Sequence, residues 1–275
     1  MTETVPVLPD QGRAADSFRD EGWTVVPDVI PPGDLTALRT ACARFVSLRE
    51  AEMDAAGTGS IGLSHRGRRY FVSDCAQRDP VVAAWALGPR MAAIVRALLG
   101  EDAYLFNDQF VVKCGGVAQA ADTSFSWHQD SGYIPYRHTP YLTIWCALDD
   151  VTQDNGTVYL LPFSQAGTRD VVPHRHDAAT DDMAADVGGR SGIPALIGAG
   201  SVACFSSTLL HRSGANTTAA DRRVYLAQYS AQPLLTADGT ALWQHAVPVL
   251  AGGILVADPA QVRDAEVSAV NPLPD

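Results

Sequence analysis

What this 275-residue sequence has little of narrows its function first. No apolar run approaches the ~20 residues that a membrane helix needs, so no membrane partner is expected. The first residues, Met1-Thr2-Glu3-Thr4, lack the basic and apolar regions of a signal peptide. Positive charge is scarce: Lys+Arg number 20 against 31 Asp+Glu, a net charge of −11. That balance argues against nucleic acid or an anionic membrane as the main partner. Cysteines are few and odd in number. Cys42, Cys75, Cys114, Cys146 and Cys204 are scattered, no Cys-x-x-Cys occurs, and most have apolar neighbours. They read as reduced core thiols of a cytoplasmic protein and argue against a cysteine metal site.

What is present is 47% hydrophobic, ample for a sizeable core. Residues 1–102 read as a mostly helical flank. Gln11–Glu21 looks helical, Trp23–Pro27 is β-rich, and Leu35, Leu38, Ala41, Cys42, Phe45 and Leu48 repeat at helical steps. Gly57-Thr58-Gly59-Ser60 stops that helix. A Gly-rich loop, 57–70, then carries His65, Arg66, Arg68 and Arg69 and is a candidate substrate lid or anion contact. Asp79-Pro80 opens a helical pair closed by Gly100. From about 103 the pattern changes to short β-branched and aromatic runs. Strands are expected near 103–113, 123–128, 140–149, 156–161, 168–173, 201–206, 208–212 and 222–230, with one more near 246–250. Eight short strands in succession suggest a mainly β fold, a double-stranded β-helix or jelly roll of the cupin type. Residues 103–232 would form that core, 174–194 a polar insertion in it, and 233–275 a C-terminal extension. One catalytic domain, 1–275, is expected, as a monomer or homodimer.

The chemistry concentrates in Trp127-His128-Gln129-Asp130. On an extended strand His128 and Asp130 leave the same face. With one further imidazole they would make the three-ligand face of a non-haem Fe(II) centre. The pair alone is weak, since a strand-end histidine held by a carboxylate looks the same. His174 and His176 form a second pair, but their polar surroundings predict surface exposure. His211 closes the apolar run that begins at Ser201, and a turn follows it, so it is placed to face a cavity. Arg222 opens the next strand, and alternation can send it inward with Val224 and Leu226. An inward arginine needs an anion, and its planar fork suits a carboxylate.

Assembled, these residues resemble the phytanoyl-CoA dioxygenase family of Fe(II)/2-oxoglutarate-dependent oxygenases. The resemblance spans about 15–235. It rests on Trp127–Asp130, Tyr141–Trp145, Ala147–Asp150, Asn155–Ser164, His211-Arg212-Ser213-Gly214 and Arg222. Phe163 and Gln165 depart from the family's usual Gly and His at structural positions. The resemblance implies that His128, Asp130 and His211 bind Fe(II), with O2 as co-reactant. It implies that Arg222 and Ser213 hold 2-oxoglutarate, with Trp145 and Lys113 beside it; Gln109, alternating with Val111 on the same strand, is expected to reach it too. Asp130, where related halogenases have a small residue, implies hydroxylation and not halogenation.

Substrate contacts are expected from Asn107, Phe125, Tyr133, Arg69 and Arg137. Aromatic and cationic groups together suggest a small natural-product or amino-acid-like substrate. Arg-over-Lys usage suggests bacterial specialised metabolism. Desaturation, epoxidation and rearrangement share the same cofactors. A cupin-type metal enzyme without 2-oxoglutarate and a non-catalytic binding protein are the rival classes.

Overall fold

The computed structural model describes residues 10–119, 123–177 and 182–259. Most of the N-terminal stretch 1–10 and the end of the C-terminal extension lie outside the described residues. So do parts of the 114–124 connection and of the polar insertion.

Helices come first, and their ends follow local rules. Helix α1 (Gln11–Glu21) ends on Gly22 in the left-handed conformation, and strand β1 (Trp23–Val26) follows. Helix α2 (Pro32–Ala56) has proline in its first turn and ends on left-handed Gly57. A small hairpin, β2 (Ser60–Ile61) and β3 (Ser64–His65), leads into β4 (Arg69–Ser73). Three helices then pack together: α3 (Cys75–Arg78), α4 (Pro80–Ala86) and α5 (Pro89–Leu98). The Asp79 carboxylate caps α4 by accepting from Val81 N at 2.7 Å and Val82 N at 3.1 Å. Pro80–Leu98 does reach the length and apolarity of a membrane span, against the expectation from sequence. Its apolar residues are packed in the protein's own core instead, with Val82, Leu87, Met91, Ile94 and Val95 all buried.

The β region supplies the remaining elements. They are β5 (Ala103–Lys113), β6 (Phe125–His128), a 3-10 turn (Asp130–Tyr133), β7 (Leu142–Ala147), β8 (Val158–Leu161) and the short helix α6 (Phe163–Ala166). There follow β9 (His174–Asp177), β10 (Asp182–Ala185), β11 (Ile193–Pro194), β12 (Val202–Ser206), β13 (Leu210–Ser213) and β14 (Arg222–Ser230). From the C-terminal extension, β15 (Val247–Ala251) pairs with β5 and with β16 (Ile254–Leu255).

These strands form the two facing sheets of a jelly roll. The large sheet runs β1-β12-β7-β14-β5-β4-β3-β2, and the small one β11-β8-β13-β6. Alternation assigns each strand of the large sheet two jobs. Phe110, Val112, Ile144, Cys146, Cys204, Tyr225 and Ala227 join the helical core. Val111, Trp145, Ala147, Ala203, Phe205, Val224 and Leu226 face the small sheet across the lumen. Phe45 of α2 meets Phe110 at 5.8 Å, and Phe110 meets Tyr225 at 5.3 Å, which fastens the helices to the sheet.

Two expectations are corrected. Residues 168–173 form no strand, because the Gln129 side chain takes their backbone groups: its Nε2 donates to Asp170 O and its Oε1 accepts from Val172 N. The insertion's described residues do form strands, β9 against β10.

Asp108 lies under the large sheet, and its Oδ2 accepts from Ala76 N at 2.9 Å and Tyr225 Oη at 3.0 Å. Burial pushes its carboxyl up to about 7, against the pull of those two donors. A carboxyl raised in the fold contributes its full stability below its ordinary value and loses it as pH rises through the folded value. Wild-type stability should therefore fall between about pH 4 and about pH 7. Asp108→Asn, which keeps an acceptor for both donors, should flatten that fall in calorimetric melting. An equal fall in both proteins would refute the assignment.

Candidate active site and metal centre

The three expected ligands meet in the lumen. Strands β6 and β13 pair so that His128 and His211 are directly opposed, with ring centroids 4.1 Å apart. Each Nδ1 is committed to a carbonyl, His128 to Ser126 O at 2.7 Å and His211 to Leu209 O at 3.0 Å. Both Nε2 lone pairs are therefore free, the tautomer a metal ligand needs. Asp130 Oδ1 lies 3.5 Å from His211 Nε2 and 3.8 Å from His128 Nε2. All three ligand atoms fall within 4.8 Å of one another, and all three residues are buried. Burial, reinforced by His211, holds the His128 imidazole well below its ordinary range. Two imidazoles and one carboxylate on one face fit a divalent iron with open positions.

A register shift explains how β6 aims its residues. His211 pairs with His128, but Ser213 pairs with Phe125, so β6 carries one extra residue between them. This bulge lets Phe125 and His128 both be buried while Ser126 is exposed. Beyond it, the Asp130 turn is pinned to the β12–β13 connection. Ser131 N donates to Ser207 O at 2.9 Å, and Ser131 Oγ meets Ser207 Oγ at 2.8 Å.

Along the large sheet, Arg69 of β4, Lys113 of β5 and Arg222 of β14 stand side by side in register. All three are buried, and each is accommodated differently. Arg69 Nη2 meets Asp182 Oδ1 at 2.8 Å, and its guanidinium lies over Phe125. Lys113 donates from Nζ to Gly214 O. Burial, with Arg222 and Arg69 beside it, holds its amine well below the usual lysine range. Arg222 stacks 5.3 Å over Trp145 and donates from Nη2 to Gly156 O at 3.0 Å. Gly156 has φ +85, and a Cβ there would meet Gly214 O at 2.6 Å, so the cradle needs glycine. Arg222 Nε and Nη1 are buried with no hydrogen-bond partner among the described residues. Burial pushes its guanidinium down only to about 10, so it stays charged. A buried cation with two idle donors fits the carboxylate of a cosubstrate.

Other expected residues fall in varied places. Ser213 and Gln109 are half-buried in the lumen's rows and make no side-chain hydrogen bond with the described residues. Phe125 and Tyr133 set their rings 4.7 Å and 5.7 Å from His128. Tyr133 Oη accepts from Met183 N at 3.1 Å. Asn107 donates to Gln228 Oε1 at 2.8 Å. Arg137 is exposed, with no ion pair among the described residues. The 57–70 segment is fastened to α2, with Arg66 on Asp54 at 2.6 Å and Tyr70 Oη on Glu50 at 2.5 Å. Expected exposure holds for His176 and not for His174. His174 Nε2 accepts from Gln129 N at 3.0 Å, and a Cβ on Gly132 would meet its ring at 2.6 Å. The β9–β10 hairpin thus lies against the ligand-bearing segment and is tied down by Asp182.

Thr143 and Gln228 escaped the reading of the sequence. Both touch Asp130 Oδ2, at 2.5 Å and 3.0 Å. The steps of two that carry Arg222 inward also reach Gln228, a polar residue after inward Val224 and Leu226. That was the available signal.

The family model described as phytanoyl-CoA dioxygenase (PhyH) matches residues 18–224. The chain belongs to that family. The L-proline trans-4-hydroxylase of Streptomyces griseoviridis is 25% identical over 253 residues, covering 84% of this chain and 88% of that protein. The ectoine dioxygenase of Sphingopyxis alaskensis is 26% identical over 227 residues, covering 76% and 72%. In fold, this PhyH-family chain is similar to the α-ketoglutarate-dependent carbocyclase SnoK of nogalamycin biosynthesis. That match has a TM-score of 0.65 and 20% identity, covering 87% of this chain and 90% of the other. With its His-Asp-His cluster, the family member is an Fe(II)- and 2-oxoglutarate-dependent dioxygenase.

The Arg69–Asp182 contact gives a direct test of the hairpin's anchor. Asp182→Asn should lower unfolding free energy by about 3–5 kcal/mol in denaturant titration, because Arg69 stays buried without that carboxylate. An Arg69→Met, Asp182→Leu double variant should recover most of the loss. A change within the error of the titration for Asp182→Asn would mean that the pair anchors nothing.

Proposed function

We propose that this enzyme hydroxylates an unactivated C–H bond of a small natural-product or amino-acid-like molecule. His128, Asp130 and His211 hold the iron, and Arg222 holds the distal carboxylate of 2-oxoglutarate. Ser213 hydrogen-bonds alongside, and Trp145, Lys113 and Gln109 complete the cosubstrate pocket. The observation that carries this reading is Arg222, buried and charged with two idle donors in the lumen that holds the triad. Relatives that act on proline and on ectoine support a small polar substrate. Free thiols at all five cysteines and the arginine-rich composition support a bacterial cytoplasmic setting.

Bound iron, 2-oxoglutarate and O2 supply the oxidising power, and succinate and CO2 are the co-products. The chain's own residues bind, orient and exclude water. Asp130 fills with a carboxylate the ligand position that chloride would need, which favours hydroxylation over halogenation. Arg222 and Trp145 orient the cosubstrate along the lumen. Phe125 and Tyr133 wall the substrate side of His128 and keep it dry. Asn107 reaches the same side from β5, and Arg69 acts from behind Phe125.

The test is succinate release with Fe(II), 2-oxoglutarate and O2 across a metabolite library, followed by product mass. A substrate should stimulate succinate and gain one oxygen. Arg222→Met should weaken 2-oxoglutarate binding by roughly 10- to 100-fold, the worth of a charge-assisted hydrogen-bond pair. Metal-dependent turnover that persists without 2-oxoglutarate would sink the reading.

A further inference from the structure

The two oxygens of Asp130 live in different surroundings. Oδ1 faces the two Nε2 atoms, at 3.5 Å and 3.8 Å. Oδ2 turns away and is held by Thr143 Oγ1 at 2.5 Å and Gln228 Nε2 at 3.0 Å. A carboxylate can only accept, so both neighbours must donate. The Gln228 amide is fixed in the donating orientation from its other end. Its Oε1 accepts from Asn107 Nδ2 at 2.8 Å, so its NH2 group is the end that faces Asp130. Gln228 Nε2 also lies 3.3 Å from Thr143 Oγ1, which closes the cluster. Thr143 and Gln228 are both buried. They come from adjacent strands and are direct register partners, so the two donors sit side by side on one rigid surface.

We propose that Gln228, oriented by Asn107 and paired with Thr143, is a positioning residue that makes Asp130 a one-oxygen ligand. The inference rests on the iron reading above. A carboxylate with both oxygens free can swing to grip a cation with two, which uses up a coordination position. Here rotation would break two buried hydrogen bonds, those from Thr143 and Gln228 to Oδ2. The clamp therefore keeps Oδ1 on the metal and preserves the open positions on which cosubstrate and O2 depend. Groups that orient a ligand in this way tune metal affinity without touching the metal.

The variants are Gln228→Met and Thr143→Val, which keep shape and remove one donor each, and Asn107→Leu, which frees the amide to turn. Two readouts are independent of turnover. One is Co(II) affinity of the metal-free protein by calorimetry. The other is the visible charge-transfer band of anaerobic Fe(II) with 2-oxoglutarate. Gln228→Met should weaken Co(II) by about 10- to 100-fold and shift the band. Thr143→Val should change both readouts in the same direction, and Asn107→Leu should do so by less. If Gln228→Met fails to fold, Thr143→Val decides. Co(II) affinity and band position equal to wild type would overturn the proposal, whatever happens to the melting temperature. A wild-type protein that binds no Co(II) and shows no band would fell the iron reading itself, and this inference with it.

Discussion

Slide β13 by one residue against β6 and the site vanishes, because every side chain on β13 changes face. His211 would leave the lumen, and Leu210 would stand opposite His128. The register is held from both sides, since β8 pairs with the far edge of β13, Leu160 lying opposite His211. The bulge in β6 adds a correction that alternation alone cannot make. Phe125 and His128, three residues apart, are both brought inside. Ser207 then fixes the turn that delivers Asp130. The candidate metal centre is thus a product of strand pairing at one end of the small sheet and of the Ser131–Ser207 tie, and its three candidate ligands already meet.

Charge in the lumen follows from the same pairing. Three basic residues at one level of three neighbouring strands repel one another in a medium with little water. The fold relieves them separately. Arg69 has the Asp182 carboxylate, supplied by the insertion. Lys113 has lost much of its hold on a proton. Arg222 keeps its charge and two donors free of partners among the described residues. Of the three, Arg222 is the one with buried donor nitrogens that have no partner among the described residues. The insertion takes part in this balance, because its Asp182 neutralises the arginine that stands in register with Lys113 and Arg222.

The large-scale organisation was legible because it rests on local signals. Helical steps from Leu35 to Leu48, Asp79-Pro80 and the β-branched runs after 103 each report on their own neighbourhood. His211 and Arg222 were readable too, since each ends or opens a strand with a strong apolar pattern. What escaped depends on distant partners. No signal near 168–173 says that Gln129 will take the backbone groups of that segment. No pattern near Asp182 foretells Arg69, more than a hundred residues away, and the same holds for His174 against Gly132. Arg69 itself was legible as a basic residue but not as a buried one, because burial came from Asp182 and Phe125. Gln228 and Thr143 lay in between: their inward direction could be counted, but their meeting on Asp130 Oδ2 required the register.

Lys113 is the chain's one lysine, and it is buried with its amine turned to Gly214 O. The surface therefore offers amine-directed chemistry no lysine at all. Inside, burial and the neighbouring Arg222 and Arg69 weaken the amine's hold on its proton, and the same burial shields it from reagents. A lysine adduct on this protein would record an opening of the β-barrel, at a rate set by how often β5 and β14 part from the small sheet.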